Sequence, residues 1–371
     1  MLHERRLPLA ESDDLQRVFQ VKLSFLVWLL CTPPIDLEDQ TPLTQQFGPP
    51  VADWLWTRIR KVTKRTQFGH AVMALAKRAV IAPAEAKEVA ASIAHDARFH
   101  IHWADAGYEL RFPRLHADWL DPVRAVAEPF YDWLASSGFD SVTFGLTSGE
   151  MKRVKVMKAF RSQSNEICGY CDGPLGDEGS HTEANDCVHF FPKSQWPHLA
   201  IHPANLYSAC MGCNSRWKLD RRPMGEGDVV GLSETYHPML RPGVGSIDVT
   251  AIPATSSARK VAIEIRDNQF PRRAETLVDT LDLEARWANW VNSKLDRCVS
   301  VFVAKSARDN GLGKQVTSES VRQLIQDDIA WQRAHLGKDE RTLRQIAILE
   351  YQMAQQLPDV TEELELILQV P

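Results

Sequence analysis

Hydrophobic positions in the first part of the chain recur every three or four residues, which is the spacing of one face of an α-helix. The first such stretch follows Ser12, a residue type that caps helix N-termini, and runs to the break at Cys31–Pro33. Pro83 stands where proline is favoured, in the first turn of a later helix. The pattern predicts helices at residues 12–31, 51–64, 70–80, 84–95 and 121 to about 136, with a small hairpin within residues 99–112.

The pattern changes twice further along the chain. Glu150–Ser162 predicts a helix rich in lysine and arginine, which is either a solvated face or a nucleic-acid contact. Short apolar runs and turn residues follow from about residue 229, with a strand at Val261–Ile265, and helical stripes return from Ala274. We therefore predict an N-terminal helical domain at 1–147, a central module at 148–223 and a C-terminal region of short strands and helices at 224–371.

Composition places the chain among ordinary globular proteins. It has 371 residues, 44% hydrophobic and 25% charged, and a formal net charge of −5. Any attraction for nucleic acid must therefore come from a local basic patch. The start of the chain lacks a signal-peptide pattern, and the apolar run Leu23–Cys31 is shorter than the roughly 20 residues that span a bilayer. We expect a cytoplasmic protein without a membrane partner.

Four of the seven cysteines form two C-x-x-C pairs, about 40 residues apart. Two such pairs supply the four thiolates that tetrahedral zinc prefers. An iron–sulfur cluster or a redox dithiol would use the same residues, but nothing in the flanking sequence favours either. The spacing predicts a closed, structural zinc site formed by Cys168, Cys171, Cys210 and Cys213.

The segment between the two cysteine pairs contains an ordered set of polar residues. His189 is followed by Pro192-Lys193-Ser194, then by Asn205-Leu206, and the second cysteine pair is followed by Asn214 and Lys218. This order resembles the HNH, or His-Me finger, family of endonucleases with four-cysteine zinc knuckles. The resemblance covers about 50 residues and implies a ββα-metal module, in which two antiparallel strands and a helix surround one catalytic Mg²⁺ or Mn²⁺.

The resemblance implies a role for each matching residue. His189 would be the general base, Asn214 a ligand of the catalytic ion, and Asn205 the residue that holds His189 in place across the connecting loop. Phosphate oxygens would be met by positively charged side chains, namely Lys193, Lys218 and Arg216.

One position departs from the family pattern. The residue before the catalytic histidine is usually Asp or Glu and binds the metal, whereas here it is Val188. Asp186 lies two residues earlier, on the same side of an extended strand, and is a candidate substitute ligand. His198 and His202, in the connecting loop, are interpreted as satisfied or exposed histidines outside the chemistry.

The sequence thus predicts a mainly α protein, α+β overall, around a central ββα-metal HNH module with structural zinc. The expected activity is metal-dependent hydrolysis of phosphodiester bonds, with double-stranded DNA as the substrate that the resemblance implies. With its long flanking regions, the chain resembles HNH effector nucleases of bacterial anti-phage defence, and this resemblance would imply partner proteins. The alternatives are a catalytically degenerate module that only binds nucleic acid or a partner, and a nuclease of restriction or recombination.

Overall fold

A computed structural model describes residues 7–33, 39–60, 68–105, 107–164, 168–171, 185–218, 232, 235–240, 247–253, 261–267, 271–289, 292–293, 308, 323 and 327. The chain divides into two compact units, one covering residues 2–243 and the other residues 244–371. Most described residues are helical, and the described strands form two antiparallel pairs. The fold is therefore α+β with helices predominating, in agreement with the predicted class.

The first unit begins with helices, most of which lie where the apolar spacing predicts them. Ser12 is not the N-cap of the first helix: the helix begins at Leu9, because the carbonyl of Pro8 already accepts the Ser12 N–H at 2.9 Å. The helices are α1 (Leu9–Cys31), α2 (Thr41–Phe47), α3 (Pro49–Arg60), α4 (Phe68–Ile81), α5 (Pro83–Asp96), α6 (Leu120–Ala135), α7 (Ser141–Phe144) and α8 (Arg153–Ser164).

Helix α1 is the central element of this unit. It packs against α4, α5 and α6, and its side chains Leu15, Phe19 and Leu26 are completely buried. These residues recur at helical spacing, which is why the stripe faces the core. Within the described helices, none has both the length and the apolar character needed to cross a bilayer.

The predicted hairpin within residues 99–112 is wrong. Residues 99–105 form turns, and Asp96 accepts the backbone N–H groups of Arg111 and Phe112 at 2.8 and 2.9 Å. A carboxylate that satisfies these donors replaces the ladder that a hairpin would have required.

The central segment folds as an antiparallel strand pair followed by a helical turn. β1 (Asn185–His189) pairs with β2 (Leu206–Cys210), so that His189 lies opposite Leu206 and Val188 lies opposite Tyr207. The chain between the strands forms short 3₁₀ turns at Pro197–Leu199 and Pro203–Asn205. After β2 comes one short π-helical segment, Cys213–Lys218. Helix α8 packs on both strands, and α1 and α6 pack on the turns.

The second unit contains the predicted strand near residue 261 and the helix after it. β3 (Ile247–Pro253) and β4 (Val261–Asp267) form an antiparallel hairpin, and α9 (Pro271–Leu281) packs against β4. Leu277 and Leu281, within the helical stripes predicted from Ala274, are buried. The part of these stripes beyond residue 320 lies outside the described residues, apart from residues 323 and 327.

A buried carboxylate fastens α1 to the chain that leads into α8. Asp14 is fully buried, and its oxygens accept the backbone N–H groups of Thr147 and Ser148 at 2.8 and 2.7 Å and both hydroxyls. Although burial works against it, these hydrogen bonds lower the pKa of Asp14. The charged acceptor thus ties the loop before α8 to helix α1.

Replacing Asp14 with alanine is expected to cost about 2–4 kcal/mol of unfolding free energy, because four donors would lose a charged acceptor. Urea unfolding of the full chain measures the loss. Asp13→Ala is the matched control, since Asp13 is exposed on the same helix turn. Equal stabilities of the two variants would contradict the assigned role of Asp14.

Candidate functional site

Four cysteine sulfurs converge at the end of the β1–β2 pair. The Sγ atoms of Cys168, Cys171, Cys210 and Cys213 all lie within 4.8 Å of one another, as the two C-x-x-C pairs predicted. The Cys171 and Cys210 sulfurs are 3.8 Å apart. Ligands about 2.3 Å from a tetrahedral zinc ion lie about 3.8 Å from each other, so the spacing fits such an ion.

Backbone N–H groups support the sulfurs. The amides of Tyr170 and Cys210 point at Cys168 Sγ at 3.4 and 3.3 Å, and the Cys213 amide points at Cys210 Sγ at 3.4 Å. Such donors stabilise thiolates and orient them, as outer hydrogen bonds do in metal sites. The Gly169 amide also donates to the Ser208 carbonyl at 3.1 Å, which ties the first cysteine turn to β2. The cluster can therefore hold a metal such as zinc and join two distant segments.

Gly169 is required by close packing at this turn. A Cβ at this position would lie 2.9 Å from the Tyr207 ring and 3.3 Å from the Ser208 carbonyl. Any larger residue would push the first cysteine turn away from β2 and open the sulfur cluster.

His189 lies at the C-terminal end of β1 and is 9% exposed. Its Nε2–H donates to the carbonyl of Ala200 at 2.9 Å, so Nδ1 is the acceptor nitrogen of the neutral ring. The Tyr131 ring of α6 meets the imidazole edge-on, with 4.6 Å between ring centroids. The histidine is thus held in one orientation from two sides.

The electrostatic surroundings of His189 favour its neutral form. Burial and the positive charge of Lys218 lower the pKa of His189 to about 3, and Lys193 and Lys22 act in the same direction. Lys218 is itself only 2% exposed, so it faces the interior of the site instead of an outer surface. Lys193 is partly exposed, with its Nζ 5.1 Å from the centre of the Tyr131 ring.

Asn205 links the two ends of the connecting loop. It is fully buried, its Oδ1 accepts the Phe191 N–H at 2.6 Å, and its Nδ2 donates to the carbonyls of Phe191 and Leu199 at 3.2 and 2.9 Å. Leu199 adjoins Ala200, the acceptor of the His189 bond. These contacts cross the connecting loop, and the role predicted for Asn205 in holding His189 stays a prediction.

The remaining predicted site residues have different positions. Asn214 is half-buried in the π-helical segment directly after Cys213. Val188 is buried at 1% exposure, and Asp186 pairs with Ala209 in the ladder. The side chains of Asp186 and Arg216 lie outside the described residues, so their roles stay predictions.

His198 and His202 are buried between the connecting loop and the helices. His198 Nε2 lies 3.4 Å from Asp96 Oδ2, and His202 Nδ1 accepts the Ala204 N–H at 3.0 Å as a helix cap. Two further residues near His189 were missed by sequence reasoning, Tyr131 and Lys22. For Lys22 a signal existed, because its position falls on the buried apolar stripe of α1.

Comparison with known proteins gives one partial similarity. The chain is 34% identical over 58 residues to the Septu protein PtuB of Bacillus thuringiensis. The match covers 16% of this chain and 21% of that protein, so the chain spans about a fifth of the length of its relative. No family model and no solved structure matches the chain.

We expect the full chain to bind one zinc ion through the four cysteines and to lose it in Cys168→Ser. Cys31→Ser is the matched control, because Cys31 is exposed, ends helix α1 and is not part of the four-cysteine cluster. Metal content after dialysis and the thermal unfolding midpoint measure the effect. Equal zinc content in the two variants would contradict the four-cysteine site.

Acid is expected to destabilise this region. Burial is the first cause that lowers the pKa values of His189, His198 and His202, so the unfolded chain binds more protons than the folded chain below about pH 6.5. Each histidine then removes up to about 1.4 kcal/mol of stability per pH unit, and for His189 the loss extends toward about pH 3.

Urea unfolding between pH 8 and 5.5, with zinc content monitored, checks this dependence. In His202→Asn the asparagine oxygen can still cap the turn, so the variant should lose one titrating group but keep the cap. Its stability should fall less steeply with acid than that of the wild type. Parallel curves would show that His202 does not titrate as inferred.

Proposed function

We propose that the chain is a metal-dependent endonuclease of the HNH type, which hydrolyses phosphodiester bonds of double-stranded DNA. The observation that carries the proposal is the fixed orientation of His189. Its Nε2–H is bonded to Ala200, which leaves the Nδ1 lone pair to accept a proton. An imidazole held in one tautomer, with its other ring nitrogen as an acceptor, is the geometry that a general base requires.

The surrounding charges suit phosphodiester chemistry. Negative charge grows on the phosphate oxygens as water attacks, and cations that are already in place stabilise it. Lys218 lies close enough for its charge to act on the His189 ring, and Lys193 acts on the same ring from the connecting loop. In a chain of net charge −5, these lysines provide the local positive potential that a phosphate needs.

The catalytic ion of this proposal would be a hydrated divalent cation. Asn214, in the helical segment after Cys213, is the candidate protein ligand through its amide oxygen, whereas Val188 offers no ligand atom. Mg²⁺ tolerates such a sparse set, because it keeps several waters and takes oxygens from its phosphate substrate. When bound, the ion would supply a Lewis acid for the phosphate and the leaving oxygen. Asp186 is the candidate second ligand.

A role in anti-phage defence is the biological setting that the partial similarity supports. The matched relative is a Septu protein, a component of anti-phage defence, although the match covers only part of each chain. In such a setting, partner proteins would control when DNA is cut. Unregulated cutting would also damage the chromosome of the cell.

The test is cleavage of a supercoiled plasmid by the full chain with Mg²⁺ or Mn²⁺. His189→Ala is expected to lower the rate by at least about a hundredfold, because general-base catalysis contributes about that much or more. His70→Ala is the matched control, since His70 is exposed on α4. Both variants replace a histidine with alanine, so His70→Ala shows the effect of losing a histidine outside the site.

Two results would argue against the proposal. Cleavage by His189→Ala at the wild-type rate would remove His189 from the chemistry. An intact plasmid with all proteins and both ions, combined with a mobility shift of the DNA, would instead favour a module that binds nucleic acid without cutting it. Val188 is buried at the position where the family usually has an acidic metal ligand, and this observation favours the second outcome.

A further inference from the structure

Lys22 is a fully buried lysine in the middle of α1, inside an otherwise apolar stripe. Its Nζ donates to the Pro197 carbonyl at 3.3 Å and lies 5.5 Å from the centre of the Phe19 ring. Across the described part of the chain, no carboxylate forms an ion pair with it. A leucine or methionine would fill the same space without the cost of desolvating an amine.

The Pro197 carbonyl belongs to the turn that orients His189. Carbonyls at three positions of this turn are held by side chains: Pro197 by Lys22, Leu199 by Asn205 and Ala200 by His189. The Ala200 N–H also donates to the Pro197 carbonyl at 3.2 Å, so the first and last of these positions are directly bonded. A shift of Pro197 would therefore be transmitted to the acceptor of the histidine.

We propose that Lys22 is a positioning residue for His189, acting through the Pro197–Ala200 turn. This inference rests on the proposed nuclease function, but its structural part, the orientation of the imidazole, can be measured without cleavage. The proposal means that the N-terminal helical region helps to orient the catalytic histidine. The residue that does so, Lys22, lies 175 positions before Pro197, whose carbonyl it holds.

Electrostatics are consistent with this placement. Burial is the largest cause that lowers the pKa values of His189, His198 and His202, and Lys22 is among the nearby groups that add to it. Burial also lowers the pKa of Lys22 well below its usual value. Lys22 thus lies near His189 and near both histidines of the connecting loop, and its amine can donate to the Pro197 carbonyl whether or not it is charged.

The test compares Lys22→Met, which keeps the apolar volume without a donor, with Lys22→Arg, which keeps one. Nitrogen-15 NMR of the histidine rings in the zinc-loaded full chain reports which nitrogen of His189 carries the proton. We expect the Nε2–H form in the wild type and in Lys22→Arg, and a mixture of the two neutral forms in Lys22→Met. His189→Gln identifies the signal.

Plasmid cleavage provides the second readout. In Lys22→Met we expect kcat to fall by about tenfold to a hundredfold, with KM within about twofold, because misplacing a reacting group affects the transition state more than binding. Zinc content and the unfolding midpoint should stay at or above their wild-type values, since a buried amine is removed. Lys22→Arg should keep its rate within about threefold of the wild type.

The outcomes separate this inference from the proposed function. An unchanged His189 tautomer in Lys22→Met, with an unchanged rate, overturns the positioning role. A mixed tautomer in a chain that never cuts DNA supports the positioning role and removes the nuclease. If Lys22→Met fails to fold, Lys22→Gln, whose amide ends short of the lysine nitrogen, takes its place against Lys22→Arg. A pure Nε2–H form in Lys22→Gln would then overturn the proposal.

Discussion

Two strands of five residues each carry the candidate site, and an isolated strand pair of this size is at best marginally stable in water. The elements that pack around the β1–β2 pair supply the stability that the pair lacks. The cysteine cluster holds the end where β2 leaves the pair, and the helices cover the connecting turns. The position of His189 therefore depends on contacts that its own hairpin cannot provide.

The two supports act by different physics. With a metal ion bound, the four thiolates would impose distances, because a tetrahedral site tolerates little change in spacing. The connecting loop is instead fixed by hydrogen bonds to buried carbonyls, where leaving any group unpaired is costly. Asn205 meets the loop from within the module, while Lys22 and Arg124 meet it from the helices, Arg124 at the Ser194 carbonyl. The helical region is thus part of the scaffold of the site.

Local patterns were sufficient where structure depends on neighbours in sequence. Helices α3 to α6 follow the apolar spacing, and the paired cysteines indicated their own convergence. The hairpin predicted within residues 99–112 is wrong because Asp96, on the preceding helix, accepts backbone N–H groups that a hairpin would use. The apolar stripe of α1 marks Lys22 as buried but not what it contacts. Its bond to the Pro197 carbonyl, like the contact of Tyr131 with His189, joins segments far apart in the chain, which no local pattern shows.

Helix α1 has two buried polar side chains that bond to different parts of the unit. Asp14 accepts hydrogen bonds from the loop before α8, and Lys22 donates to the Pro197 carbonyl. They are eight residues apart, or about 12 Å along the axis. Apolar side chains tolerate small slips of a helix, but hydrogen bonds do not. A rotation or translation of α1 by a single residue would break both attachments together. The rotation and axial position of the helix are consequently fixed, and a displacement of its N-terminal end would move the turn beside His189.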